Sequence, residues 1–477
     1  MEDKLKEVYS SAGFKKMGYE LVDMLASYLD DAQQEQMQAN NYIDPSEQLT
    51  YWKNYQLNPE KPVVLFQDIL QRSIQIHHPK YMGHQVCAPA PVGALASMVS
   101  SVLNNGQAIY EMGGPATAME KVVVDLLVKK VGYNQYGDGF LTSGGTLGNL
   151  TALLAARQQS VSGDVWENGL GEQLAVMVSS EAHYSVDRAV RVMGLGAKGI
   201  IKIPVDDAFR MKTQCLDEYY DKAKKEGVRV IAVVGCAPST STGMHDDLES
   251  ISSFCKRHQL WFHVDGAHGG AAVFSDKYKF LLKGIEKADS IVIDGHKMLM
   301  TPALMTFVLF KDGHNSFATF RQKAQYLLEM SGQEDWFNGA KRTMECTKLM
   351  MGMKFYTILK IHGEEVFGQF VTQMYDLGAE FAEIIQSRPQ FQLALTPDSN
   401  IVCFRWIGQG MSEIEINTIN ARVRDKLLKK NEFYVVQTSI RDQVYLRTTL
   451  MNPFTTPLHL NQLLDEIELL SQSIQRV

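Results

Sequence analysis

Near the start of the chain, apolar positions repeat at helical spacing. Met17, Leu21, Met24, Leu25 and Leu29 form one stripe of GFKKMGYELVDMLASYLDDAQ, with charged residues opposite. Such a stripe needs a covering surface, on this chain or on a second copy. From about Pro79 to about Met350 the pattern changes. Short β-rich apolar runs (Ala175–Ser179, Gly199–Ile203, Val228–Val234, Leu260–Val264, Ser290–Ile293) alternate with helical stretches such as Leu216–Glu226 and Leu248–His258. Near-continuous apolar strands separated by helices predict a largely parallel sheet covered on both faces. Ligands of such sheets sit at the carboxyl ends of the strands. After Met350 the texture is helical, longest over Lys354–Ser387. Short strands (Ile401–Trp406, Gln443–Thr448) and a last helix, Thr456–Ile474, follow. The expected organisation is an α/β protein with an N-terminal helical segment (1–78), a large domain (79–350) and a smaller C-terminal α+β domain (351–477).

Composition narrows the function classes. With 477 residues, 45% hydrophobic and 21% charged, the chain is long enough to bury a deep, dry site. Its formal net charge of −7, with no basic run, argues against a nucleic-acid partner. MEDKLKEVYSS lacks an apolar leader core. The longest apolar run, Met298–Phe310, is broken by Thr301, Pro302 and Thr306 and is too short to span a bilayer. Cys87, Cys215, Cys236, Cys255, Cys346 and Cys403 form no CxxC pair, which reads as reduced thiols rather than disulfides or a zinc site. A soluble cytoplasmic protein with no membrane partner is expected.

Candidate chemistry gathers at the predicted strand ends. Lys297, in ADSIVIDGHKMLMTP, follows an apolar strand and is followed by Met298, Leu299 and Met300, so it does not read as a solvated surface lysine. Asp265 ends the strand run in WFHVDGAHGG, where a carboxylate is costly unless paired. A lysine able to hold an aldehyde as a Schiff base, beside an aspartate able to pair with a pyridinium N–H, suits pyridoxal 5'-phosphate. GFLTSGGTLGNLTALLAAR supplies a strand end, then Ser143-Gly144-Gly145-Thr146, then a helix running to Arg157. Taken alone, that is either a phosphate cradle at a helix N-terminus or an ordinary glycine-rich helix start. His183, after the strand AVMVSS, either stacks on a ring and handles a proton or is a hydrogen-bonded strand-end histidine. The string His263, Asp265, His268 admits a metal reading too, but no cysteine or carboxylate cluster accompanies it, and no metal is expected.

The order SGGT, His183, VDGAHGG, DGHKM resembles the group II pyridoxal-phosphate-dependent amino acid decarboxylases of fold type I. That group includes the glutamate, diaminobutyrate, aspartate, tyrosine and aromatic amino acid enzymes. The resemblance extends to HPKYMGHQ (His78–Gln85), YEMGGPATAMEK (Tyr110–Lys121) and LRTTLMNP (Leu446–Pro453). It implies a mainly parallel, seven-stranded-type sheet in the large domain and a homodimer packed through the N-terminal segment. It implies Lys297 as the Schiff-base lysine, Asp265 as the pyridinium partner and His183 as the ring-stacking residue. It places Gly144, Gly145, Thr146, Ala267 and His296 around the cofactor, and Arg447, Tyr81 and His84 in the substrate segment. Two departures stand out. Asp294-Gly295 replaces the family's usual Asn-Pro before the His-Lys pair. In the loop Phe320–Ala340, Ser331-Gly332-Gln333 stands where the family places the tyrosine that protonates the substrate carbon, with Tyr326 and Trp336 to either side.

The implied reaction is α-decarboxylation of an L-amino acid to an amine and CO2, with a small polar or acidic substrate such as aspartate, glutamate or 2,4-diaminobutyrate favoured. The missing tyrosine leaves open decarboxylation-dependent oxidative deamination to an aldehyde. A non-catalytic regulatory homologue is the remaining alternative.

Overall fold

The computed structural model describes residues 2–163, 165–320 and 335–475. They form two compact units, one made of Gln85–Ala379 with Leu395–Val402, the other of Met1–His84, Glu380–Ala394 and Cys403–Val477.

The first unit is built on a seven-stranded sheet: β1 (Asp138–Thr142), β2 (Leu174–Ser179), β3 (Ile200–Ile203), β4 (Arg229–Cys236), β5 (Trp261–Asp265), β6 (Ser290–Asp294) and β7 (Thr306–Phe310), in the order β1-β7-β6-β5-β4-β2-β3. Strands β2, β5, β6 and β7 are buried along their whole length, as expected for a sheet covered on both faces. Leu174, Val176 and Val178 of β2 and Ile231 and Val234 of β4 pack with Leu153, Val186 and Val190 in one core. Five of these strands lie where the hydrophobic pattern put them, within a residue or two. β7 was not foreseen, and it makes the sheet mixed, because it runs antiparallel to both β1 and β6.

That strand has a consequence for the site. Two successive antiparallel pairings turn β1 into the same direction as β6, and β6 is parallel to β5. The carboxyl ends of β1, β5 and β6 therefore emerge at one edge. The register sets Cys236 opposite Asp265 and Asp265 opposite Val292. The helix Gly145–Ser160 after β1 lies close on the sheet, since a Cβ at Gly148 would sit 3.1 Å from a Val292 methyl and 3.3 Å from the Thr306 methyl. A buried pair steadies β1: Lys348 Nζ lies 2.5 Å from Glu120 and donates to the Leu141 carbonyl at 2.8 Å, while Leu141 N–H donates to Glu120. The long helical run expected over Lys354–Ser387 is two helices, Gly352–His362 and Glu365–Gln386. Gly363, at φ +83°, ends the first.

The second unit carries a smaller sheet of β8 (Phe391–Leu393), β9 (Ile401–Trp406), β10 (Val436–Ile440) and β11 (Gln443–Thr449), in the order β10-β11-β9-β8. Its helices include Ser11–Gln33, Glu413–Lys430 and Pro457–Gln475. On the helix Ser11–Gln33, Phe14, Tyr19, Val22 and Leu25 are exposed, while Met17, Leu21, Met24 and Leu29 of the predicted stripe are partly buried.

Burial also sets a pH dependence. His245 is 3% exposed, and burial lowers its pKa from the usual 6.5 to about 4, against the opposing pull of Asp398. Above pH 6.5 the residue is neutral in both folded and unfolded chains and costs nothing. As pH falls from 6.5 toward 4, the unfolded chain takes up a proton that the folded one refuses, so stability drops. We expect this one group to remove about 2 kcal/mol of stability between about pH 7 and pH 5, and His245→Gln to shrink the wild-type loss by that amount. Denaturant unfolding at the two pH values measures it, and equal losses in both proteins would refute the assignment.

Candidate active site

One cavity, of about 290 Å³, opens at the carboxyl edge of the large sheet. Every residue lining it belongs to the first unit. Lys297, Asp265 and His183 line it, together with Gly144, Gly145, Thr146, Ala267 and His296. The sheet thus gathers the residues of four separate sequence motifs.

The glycine motif supplies the anion end. β1 stops at Thr142, Gly144 takes φ +108°, and the helix begins at Gly145. The first N–H groups of a helix have no partner within it, and the helix dipole adds partial positive charge there. Side chains are kept short here by packing: a Cβ on Gly145 would lie 3.1 Å from both carboxylate oxygens of Asp294. The loop is held from outside the cavity by Glu345 Oε1, which accepts from the Thr142 hydroxyl at 2.8 Å and from the Ser143 hydroxyl at 3.0 Å.

Lys297 lies in the turn after β6. Its Nζ is 2.9 Å from Asp294 Oδ2, and the other Asp294 oxygen accepts from the Thr306 hydroxyl at 2.5 Å. Burial alone would raise the Asp294 pKa, but Lys297, His296 and Thr306 together hold it below the usual carboxylate value. The departure from the family's Asn-Pro therefore places a carboxylate against the lysine amine. His296 Nε2 is 3.7 Å from the same Asp294 oxygen, and its Nδ1 lies 2.8 Å from the Met305 carbonyl oxygen.

Asp265, at the end of β5, is 8% exposed. Its Oδ1 accepts from Ala267 N–H at 3.2 Å and its Oδ2 from Asn149 Nδ2 at 2.9 Å. Asn149 donates to the Ser185 hydroxyl as well, at 2.9 Å, and Ser185 Oγ is 2.8 Å from His183 Nδ1. Burial pushes the His183 pKa down, and Lys297 adds to this, while Asp265 and Asp294 pull the other way. His263, two residues before Asp265 on the same face of β5, turns to Asn149 and Ser290. Among the described residues, no group of three or more His, Cys, Asp or Glu side chains is placed to hold a metal ion.

Asn149 and Ser185 were not singled out from sequence. For Asn149 a signal existed: it lies one helical turn after Gly145, on the face that looks into the cavity.

Tyr81, His84 and Arg447 belong to the second unit. The Tyr81 ring stacks on Tyr434 with centroids 5.2 Å apart. His84 has its pKa lowered by burial and then by Arg447 and Arg424, which marks a cationic neighbourhood. Arg447 is 9% exposed, and burial lowers its own pKa. Ser331-Gly332-Gln333 and Tyr326 lie outside the described residues.

Pyridoxal phosphate requires an amine for its aldehyde, an acceptor for its ring nitrogen, a flat group for its ring face and N–H donors for its phosphate. The cavity offers one of each, and the space beside the Gly144 backbone is open, with no atom within 4 Å of where its Cβ would be. The residues present fit the group.

Comparison with known proteins agrees. Residues 53–407 match the family model described as the pyridoxal-dependent decarboxylase conserved domain. The chain is 27% identical over 429 residues to the human acidic amino acid decarboxylase GADL1, covering 87% of this chain and 82% of that protein. It is 27% identical over 413 residues to the L-2,4-diaminobutyrate decarboxylase of Acinetobacter baumannii, covering 83% and 81%. The crystal structure of mouse CSAD has the same fold, with a TM-score of 0.90 at 23% identity and coverage of 97% of this chain and 99% of that one. A family match that runs through the sheet, the cavity and most of the chain makes this protein a member of the pyridoxal-dependent decarboxylases.

Proposed function

We propose that this carboxy-lyase removes the α-carboxyl group of an L-amino acid with a small polar or acidic side chain, releasing the amine and CO2. The observation that carries the reading is the convergence of Lys297, Asp265, His183 and the Gly145 helix start on one cavity.

When bound, pyridoxal phosphate supplies an electron sink for the pair left behind as CO2 departs. Lys297 holds the cofactor's aldehyde through its amine. That amine must be neutral to react, and while it is charged Asp294 Oδ2, 2.9 Å away, pairs with it and holds it in the cavity. Asp265 faces the ring nitrogen as an acceptor, its two oxygens already oriented by Ala267 and Asn149. His183 covers a ring face, kept neutral near pH 7 by burial. Gly144, Gly145 and Thr146 turn the helix N-terminus toward the phosphate, with His296 and Ala267 beside it.

Arg447 is our candidate for a substrate carboxylate, with Tyr81 and His84 in the substrate segment. The charges of Arg447 and Arg424, both felt at His84, support an anionic substrate group over an apolar one. The name of the human relative points to acidic amino acids and that of the Acinetobacter relative to a diamino acid. We further infer a cytoplasmic homodimer, supported by the uncovered apolar side chains of the helix Ser11–Gln33. No described helix is long and apolar enough to cross a membrane.

A screen of the twenty amino acids with 2,4-diaminobutyrate and ornithine, reading CO2, amine and aldehyde together, tests the reading. We expect amine and CO2 in equal amounts, with aspartate, glutamate or diaminobutyrate turned over at least about tenfold faster than aromatic substrates, a preference worth about 1.4 kcal/mol. Aldehyde in parity with CO2 would replace simple decarboxylation by oxidative deamination. Absence of CO2 from every substrate would leave a non-catalytic homologue.

A further inference from the structure

A chain of buried side chains runs from Trp261, behind the cavity, through Ser290 and His263 to Asn149, which lines it beside Asp265. Trp261 Nε1 donates to Ser290 Oγ at 2.8 Å, and Ser290 Oγ lies 2.8 Å from His263 Nδ1. His263 Nε2 is 2.9 Å from Asn149 Oδ1, and Asn149 Nδ2 donates to Asp265 Oδ2 at 2.9 Å. Ser290 and His263 are completely buried and Asn149 is 1% exposed.

The chemistry of the two ends permits one direction of donation. A carboxylate only accepts, so the Asn149 amide nitrogen must face Asp265. Both of its protons are then used, one on Asp265 and one on Ser185. Asn149 Oδ1 is left for His263, which must present Nε2–H to it. Burial lowers the His263 pKa to about 4, so near neutral pH the ring carries a single proton and Nδ1 is an acceptor. Only the Ser290 hydroxyl proton can serve that acceptor. The indole N–H, donor-only, occupies the Ser290 oxygen from the other side and leaves its proton aimed at the ring.

We infer that Trp261, Ser290, His263 and Asn149 are positioning residues that fix Asp265 as a proton acceptor toward the cofactor's ring nitrogen. The inference rests on the proposed pairing of Asp265 with that nitrogen. It also makes Asn149 the joint between two functions, because the same amide orients Ser185 and, through it, His183.

The weak point of the chain is a tautomer. The backbone carbonyl of Ser290 lies 3.2 Å from His263 Nδ1 and is an alternative acceptor. Without the hydroxyl of Ser290, the ring proton moves to Nδ1, and Nε2 then meets Asn149 Oδ1 lone pair to lone pair. The amide has to turn, which sets its oxygen against Asp265. The Asp265 carboxylate and the ring nitrogen then share their proton differently.

The test uses Ser290→Ala, Trp261→Phe and the conservative Ser290→Thr, each loaded with pyridoxal phosphate labelled at the ring nitrogen. The nitrogen resonance and the visible absorption are followed against pH. His183, His268, Asp294, His296, Lys297 and Cys236 face the same cavity, so wild-type protein sets the baseline. In Ser290→Ala and Trp261→Phe we expect the ring-nitrogen titration to move down by about one unit and kcat to fall about tenfold, with KM within about twofold. Ser290→Thr should keep the wild-type resonance. A role confined to stability would lower melting temperature or cofactor occupancy and leave the resonance where it was. An unchanged resonance in whichever of Ser290→Ala and Trp261→Phe folds would overturn the inference. Wild-type protein whose bound cofactor shows no protonated ring nitrogen would instead overturn the Asp265 pairing beneath it.

Discussion

Lys297→Ala should lower CO2 release by at least about four orders of magnitude, the scale seen when the group that forms the covalent bond is removed from a site acting as a unit. The loss follows from position. Lys297 sits in the turn after β6, in a cavity with one amine of this kind, and Met298 and Leu299 behind it are completely buried, which anchors its backbone. The same substitution leaves Asp294 buried with its cationic partner gone. Its carboxylate then loses the first of the influences that hold its pKa down, and burial drives the value up. We therefore expect the variant to bind pyridoxal phosphate weakly and to stay inactive over the whole pH range. Steady-state assays with the best substrate from the screen measure the effect. Residual turnover above one per cent of wild type would place the covalent step elsewhere.

Asp265→Ala is the second large effect. Removing one partner of a buried, hydrogen-bonded charge pair costs about 3–5 kcal/mol, which converts to roughly 10²–10⁴-fold in rate if the whole of it falls on the transition state. The larger end is expected here, because the substitution strands the Asn149 amide proton and the Ala267 N–H along with the ring nitrogen. The prediction separates from the first in its spectrum. Asp265→Ala keeps Lys297, so the visible band should persist with a changed pH dependence while kcat collapses. A drop in kcat under about tenfold would remove Asp265 from the reaction.

Much of this site was legible because the decisive residues end strands, and strand ends carry local signals. Asp265 follows four apolar or aromatic-rich positions and precedes a glycine, and Lys297 follows a strand and a glycine turn. The SGGT motif needed only the strand before it and the helix after it. What escaped depends on distant pairings. β7 is hidden inside the long, mostly apolar run Met298–Phe310, and nothing in that run announces that its second half crosses the sheet antiparallel. Without β7, however, β1 would not point the same way as β6, and SGGT would not reach Lys297.

The same limit applies to polar groups. Asn149 looks like one more polar residue in an alanine-rich helix until His263, Ser185 and Asp265 are seen to converge on it. Asp294 stands out in the sequence only as a departure from the family's usual Asn-Pro. The structure turns it to the lysine amine and the Thr306 hydroxyl. Tyr81 stacks on Tyr434 across more than three hundred residues of sequence, a contact no local pattern encodes.

The central claim, that Lys297 holds pyridoxal phosphate in this cavity, is tested most directly by borohydride reduction of the loaded protein followed by peptide mapping. The account predicts a single reduced pyridoxyl adduct, on Lys297, and none in Lys297→Ala. An adduct on any other lysine, or a wild-type protein that takes up no cofactor at all, would contradict it.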